Sequence, residues 1–153
     1  MLFGKKKLIV SPVNGRFIPI EQVNDPVFAE GIMGDGVAVI PNENTIVSPV
    51  EGTITMLSEQ KHGIGITMEG GTELLIHMGI DTVELGGKPF EINVQMNDQV
   101  KPGDALAMMD VDMVKAEGKD PVIMIITTGK TLKKKKYSQE KDVSVLDELA
   151  KIE

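Results

Sequence analysis

His62-Gly63-Ile64-Gly65-Ile66-Thr67-Met68-Glu69-Gly70-Gly71-Thr72-Glu73-Leu74-Leu75-Ile76-His77 reads as two strands joined by a tight turn. Its apolar runs are short and bounded by turn residues, which favours strand over helix. Gly70 and Gly71 tolerate the positive φ angles that a two-residue hairpin link demands. The predicted strands therefore run from Gly63 to Glu69 and from Thr72 to His77. In that register, residues whose numbers sum to 141 lie opposite one another. His77 then faces Ile64, with His62 its diagonal neighbour. Diagonal Cβ atoms on one face of a sheet lie about 7–8 Å apart, within reach of two imidazoles.

Outward from the hairpin, further strands are predicted at Arg16 to Ile20, Gly36 to Ile40, Thr45 to Val47, Thr53 to Leu57, Phe90 to Val94, Ala105 to Met109 and Val122 to Thr127. Turn signals separate them, the pattern of a sandwich or barrel. Ser11-Pro12-Val13-Asn14-Gly15 reappears 37 residues later as Ser48-Pro49-Val50-Glu51-Gly52. Val100-Lys101-Pro102-Gly103-Asp104 reads as a turn feeding a strand. Together these imply an all-β, antiparallel β-sandwich made of two similar units, with short helical segments. Asp142 to Glu153 has apolar residues at Val143, Leu146 and Leu149/Ala150, with Ser144 three before Asp147 as a cap; this predicts a short amphipathic helix docked on the sheet.

The 153 residues, 41% hydrophobic, are the size of one domain with a real core, flanked by a short basic tail at 1–7 and a C-terminal extension at 131–153. No run approaches the ~20 apolar residues a membrane helix needs, and Met1 to Lys7 leads into no signal-peptide core. Stable membrane insertion is not expected, and the cytoplasm is the default location. Cys is absent, which removes disulfides and cysteine nucleophiles. A net charge of −7 with 3% aromatic residues argues against a nucleic-acid surface and suits a basic protein partner. The lysine runs at 133–136 and 5–7 read as solvated charge.

The chain has two histidines, so the hairpin would gather both. Neutral imidazole is a competent nucleophile toward phosphorus near pH 7, and a phosphoimidazole stays reactive enough to pass its group on. Such transfer needs alignment and charge stabilisation more than covalent help, which a second imidazole can supply by donating to a phosphoryl oxygen. With the phosphoryl group on His77, His62 would be the donor to its oxygens, and Asp81, four residues past His77, is placed to orient a partner group or accept a proton.

Leu74-Leu75-Ile76-His77-Met78-Gly79-Ile80-Asp81-Thr82-Val83-Glu84-Leu85 closely resembles the phosphorylation signature of the glucose-type enzyme IIA family of the bacterial sugar phosphotransferase system. Supporting segments follow in family order: Ser11 to Val13, Asp25 to Glu30, Met33 to Gly36, Ser48 to Gly52 and Lys61-His62. The resemblance spans roughly Ser11 to Thr128. It implies an antiparallel β-sandwich in which His77, through Nε2, accepts a phosphoryl group from the phosphocarrier HPr and passes it to a cysteine of a IIB domain. It also implies an apolar ring of Val27, Phe28, Ile32, Met33 and Val83, with Asp25 and Asp81, around the histidines. Phe28 is expected to stay exposed there. Gln60 stands where the family usually has Thr, and Gly63 where it usually has Ala. The membrane-binding tail of some members has no counterpart beyond a few residues. No cofactor is required, although adventitious or regulatory zinc could sit between His62 and His77.

Two other readings stay open. Ser48 to Ile54 and Val100 to Asp104 look like the framework of a biotin- or lipoyl-type carrier, with Lys115 as its modified lysine. His62, His77 and Asp81 would be a chemically sufficient ligand set for a zinc hydrolase.

Overall fold

The computed structural model describes residues 7–129 and 131–152. Of the basic tail at 1–7, residues 1–6 lie outside the described residues. Among the described residues, fourteen strands form one large and two small sheets, all pairings antiparallel. The eight-stranded sheet has the order β13 (Lys141–Val143), β2 (Gly15–Ile18), β3 (Asp35–Pro41), β11 (Asp120–Thr128), β7 (Glu73–Ile80), β6 (Gly63–Thr67), β5 (Gly52–Leu57), β9 (Gln99–Val100). One small sheet joins β1 (Leu8–Val10), β14 (Glu148–Lys151) and β12 (Lys134–Lys135); the other joins β4 (Thr45–Val47), β10 (Ala105–Met109) and β8 (Phe90–Ile92). Two short α-helices, α1 (Pro26–Ala29) and α2 (Val111–Ala116), and two single 3-10 turns at Ile20–Gln22 and Thr82–Leu85 complete the described chain.

The sheet orders read alike from either end, because the second unit, β4 to β10, is nested between β3 and β11 of the first. Corresponding contacts repeat. Ser11 Oγ donates to Val13 O and Ser48 Oγ to Val50 O, each at 2.7 Å. Val10 N–H donates to Pro49 O at 3.0 Å and Val47 N–H to Pro12 O at 2.9 Å, so the two repeats are tied reciprocally. Ile9 pairs with Ala150 as Ile46 pairs with Ala107. The predicted duplication is therefore a structural one.

The segment expected to be a C-terminal helix is instead two strands, β13 and β14, joined by a turn. Ser144 and Asp147 do interact, but as a turn: the Asp147 carboxylate accepts Ser144 N–H at 2.7 Å, as the Asp104 carboxylate accepts Lys101 N–H at 2.9 Å in the other unit. Long-range pairing of β14 with β1 and of β13 with β2 outweighs a weak helical periodicity.

Alternation along the strands builds two cores. Val37, Val39, Ile76, Met78, Ile123 and Ile125 point inward to the main core shared with the small sheets. Ala38, Met124 and Ile126 belong to the outer face, joined by Ile80 beyond the irregularity at Gly79, and the connection from β2 to β3 covers them with Ile20, Val23 and Phe28.

Candidate functional site: two imidazoles on the outer face

His77 lies on β7 opposite Gly63, on the face that carries Met124. The hairpin register sums to 140, not 141. The link is a three-residue turn, in which Gly71 N–H donates to Met68 O at 2.9 Å and Met68 N–H donates to Thr72 O at 2.8 Å. Gly63, not Ile64, therefore faces His77. Strict alternation would then send His62 to the opposite face, since Met78 N–H donates to His62 O at 2.8 Å. The chain avoids this because His62 precedes the strand and Lys61, with φ 65°, closes a turn in which its N–H donates to Ser58 O at 3.0 Å. The imidazole swings to the outer face, and the ring centroids lie 5.1 Å apart in an edge-to-face arrangement.

The bonds at Nδ1 define each ring. His77 Nδ1 is 2.8 Å from Gly79 O. A carbonyl oxygen can only accept, so Nδ1 carries the hydrogen and Nε2 of the neutral ring is left with its lone pair. Gly79 can present its carbonyl this way because it adopts φ 83°; a Cβ there would stand 2.3 Å from Thr82 Cγ2. His62 Nδ1 is 3.3 Å from Ser58 Oγ, which also accepts Gly63 N–H at 2.9 Å. Among the described residues, neither Nε2 has a hydrogen-bond partner.

Burial, and then the neighbouring His62, push the His77 imidazole below its ordinary value of 6.5, against the opposing pull of Gly79 O, Asp25 and Asp81. Burial also lowers His62. Both rings are thus neutral at pH 7. Asp25 caps α1, its carboxylate accepting Val27 N–H at 2.9 Å, and Asp81 follows β7 in a left-handed conformation with φ 60°. Asp25 thus both starts the helix and acts electrostatically on His77.

Val27, Ile32, Met33 and Val83 are exposed, Ile32 at 69%, on the two segments that carry these acidic residues. Phe28 differs from expectation. It is 6% exposed and belongs to the second core, yet its ring centroid lies 4.9 Å from that of His77. The helix turns its Val27 side outward and roots Phe28 beneath the imidazole, where it fixes one wall. Among the described residues no hydrogen bond joins Gln60 to either ring. A Cβ at Gly63 would make only ordinary contacts, the nearest at 3.6 Å to Ser58 Oγ. Ser58 was not singled out by the sequence reading; a serine four residues before a histidine carries no signal until the turn that folds it back is seen.

The same geometry bears on the other readings. Among the described residues no three His, Asp or Glu side chains converge as a metal-binding group, so His62, His77 and Asp81 do not form the ligand set of a zinc hydrolase. Lys115 is an exposed residue in the last turn of α2.

Fold and site together define a duplicated β-sandwich protein centred on a pair of neutral histidines. The sequence model of the family described as "phosphoenolpyruvate-dependent sugar phosphotransferase system, EIIA 1" matches residues 7–132, and the chain belongs to that family. It is 44% identical over 133 residues to the "PTS system glucose-specific EIIA component" of Bacillus cereus, spanning 84% of this chain and 81% of that protein. It is 40% identical over 146 residues to the "PTS system glucose-specific EIICBA component" of Streptococcus pneumoniae, spanning 95% of this chain but 20% of that longer protein. The solved structure "glucose permease IIA from Mycoplasma capricolum" superimposes with a TM-score of 0.90 at 32% identity, over 100% of both chains. No helix among the described residues is long and apolar enough to cross a membrane.

Proposed function

We propose that the chain is a cytoplasmic phosphoryl carrier in which His77 Nε2 takes the group from phospho-HPr and yields it to a cysteine of a IIB domain. The observation that carries this reading is the bond from His77 Nδ1 to Gly79 O, which leaves Nε2 as an unpartnered lone pair beside a second neutral ring. On acceptance the donor's N–P bond breaks as the Nε2–P bond forms. On release a thiolate attacks phosphorus and the lone pair returns to Nε2. His77 keeps its Nδ1 hydrogen throughout, and no cofactor enters either step; zinc between the rings would compete with both. The exposed Val27, Ile32, Met33 and Val83 give both partners one water-poor contact surface, which shields the labile N–P bond. The pneumococcal relative, whose name joins C, B and A units in one chain, supports a IIB domain as the acceptor.

The test is incubation with phosphoenolpyruvate and the general phosphorelay components, followed by mapping of acid-labile phosphate. His77→Gln should abolish labelling. His62→Gln should accept phosphate and lose onward transfer by about a hundredfold, the scale of a lost positioned donor. Labelling of the His77→Gln variant would overturn the assignment.

A further inference from the structure

Two features of Ser58 stand apart from the rest of the β5–β6 connection. Its oxygen accepts Gly63 N–H at 2.9 Å, and it sits 3.3 Å from His62 Nδ1. With one lone pair committed to Gly63, the hydroxyl still has a hydrogen to place, and Nδ1 is the acceptor it meets among the described residues. Ser58 N–H donates to Gly63 O at 2.9 Å as well, so the serine is clamped to the residue that follows His62 on both sides of its backbone. The hydroxyl is therefore held by the strand rather than left to rotate.

We propose that Ser58 is the positioning residue of His62, its hydroxyl holding that ring as the Nε2–H tautomer so that the hydrogen points at phosphoryl oxygens resting on His77. The two rings are then set in opposite senses by their Nδ1 partners. Gly79 O takes a hydrogen from His77 and makes its Nε2 a nucleophile; Ser58 gives a hydrogen to His62 and makes its Nε2 a donor. Opposite tautomers are what an attacking and a stabilising nitrogen need, and no proton has to move between them: His62 lends a hydrogen bond to the phosphoryl oxygens and keeps its hydrogen. This inference rests on the carrier reading, because it assigns a donor to the group that reading places on His77.

Nitrogen-15 NMR of the full unphosphorylated chain reads the tautomers directly, without any activity. Wild-type His62 should show Nε2–H and His77 Nδ1–H. Ser58→Ala should move His62 toward a mixture while leaving His77 unchanged, and Ser58→Thr should restore the wild-type pattern. In phosphotransfer, Ser58→Ala should slow release from His77 about five- to tenfold, the scale of one orienting hydrogen bond, and leave acceptance within about twofold. A wild-type His62 in the Nδ1–H form, or unchanged release in a Ser58→Ala variant whose tautomer has shifted, overturns the proposal. If Ser58→Ala does not fold, the wild-type and Ser58→Thr tautomers decide it. A chain that takes no label at His77 would sink the carrier reading instead, with the tautomer of His62 still deciding what Ser58 does.

Discussion

The two nested units put different chemistry at matching positions. In the first, Gly36 faces Ile126 and Asp35 faces Thr127 across β3 and β11; in the second, Gly63 faces His77 and the backbone of His62 meets Met78 across β6 and β7. Asp35 thus corresponds to His62, and Ile126 to His77. Asp35 is fully satisfied. Its carboxylate takes Lys135 Nζ at 2.7 Å, Leu132 N–H at 2.9 Å and Gly36 N–H at 2.9 Å, which pins β12 to the large sheet. Ile126 is fully buried under the β2–β3 connection. At the histidines the corresponding space is left open, and both Nε2 atoms lack protein partners among the described residues. One framework therefore serves stability in one half and reactivity in the other, and the difference lies in which polar atoms the fold leaves unsatisfied.

That contrast breaks most severely at Gly79. Alanine there would be strained at φ 83° and its Cβ would collide with Thr82 Cγ2, so the backbone carbonyl that sets the His77 tautomer must move. Gly79→Ala should cost about 3 kcal/mol in urea unfolding, from positive-φ strain and overpacking together, and labelling of His77 should fall with it. Full labelling in a folded Gly79→Ala chain would show that the carbonyl does not set the nucleophile.

A smaller effect separates the equivalent positions themselves. Asp35→Asn should lower stability by about 1.5 kcal/mol, the scale of a hydrogen-bonded charge lost from a half-buried site, and leave phosphoryl transfer unchanged. His62→Gln should do the reverse, shifting stability by less than about 0.5 kcal/mol while transfer is lost. Equal effects of both substitutions on either measurement would erase the distinction between the halves.

Acid titration sharpens it further, because the halves should fail in sequence. Both histidines titrate below their ordinary 6.5 in the fold, so below that pH the unfolded chain binds protons the folded chain refuses. Stability should decline from about pH 6.5 downward and level off beneath the folded-state values. Asp35 acts later. Burial alone would raise its carboxyl, but the bonds and charge of Lys135, with the N–H groups of Leu132 and Gly36, hold it below its ordinary 3.8. Its contribution is present above that value and disappears as pH falls through the depressed one. Urea midpoints from pH 8 to 3 should show a smaller first decline in His77→Gln, with the His62 share remaining, and a smaller second decline in Asp35→Asn; the same declines in all three proteins would contradict the assignment.

How much of this was legible in the sequence depends on the range of the interaction concerned. The strands Thr45–Val47 and Ala105–Met109 were read at their observed ends, because short apolar runs between turn residues need only local pattern. The repeat was legible because the same five-residue motif makes the same Ser-to-carbonyl bond twice. Both histidines were found, but their route to one face was not, since that depends on Lys61 adopting φ 65° and on a three-residue link. The burial of Phe28 was missed because the same apolar residue can cap a core or line a docking rim, and the burial of neighbours decides which. Ser58 was invisible for a related reason: its partner is fixed by a turn rather than by spacing.

The helix expected after Asp142 failed at Leu146, and the smallest prediction lies there. Leu146 has φ 74° at the turn between β13 and β14, where its counterpart in the other unit is Gly103 with φ 98°. A Cβ on Gly103 would lie 3.7 Å from Leu146 Cδ2, so the two turns abut and the leucine side chain lies against the glycine turn. The left-handed conformation costs leucine about 1–2 kcal/mol; glycine would remove that strain but lose this contact and add chain entropy to the unfolded state. Because Leu146 is 48% exposed, the contact is the lesser part. Leu146→Gly should therefore raise stability by about 0.5 kcal/mol, with His77 labelling unaltered. A loss of stability would mean that the side chain's packing against the Gly103 turn outweighs the strain of the backbone geometry the two turns share.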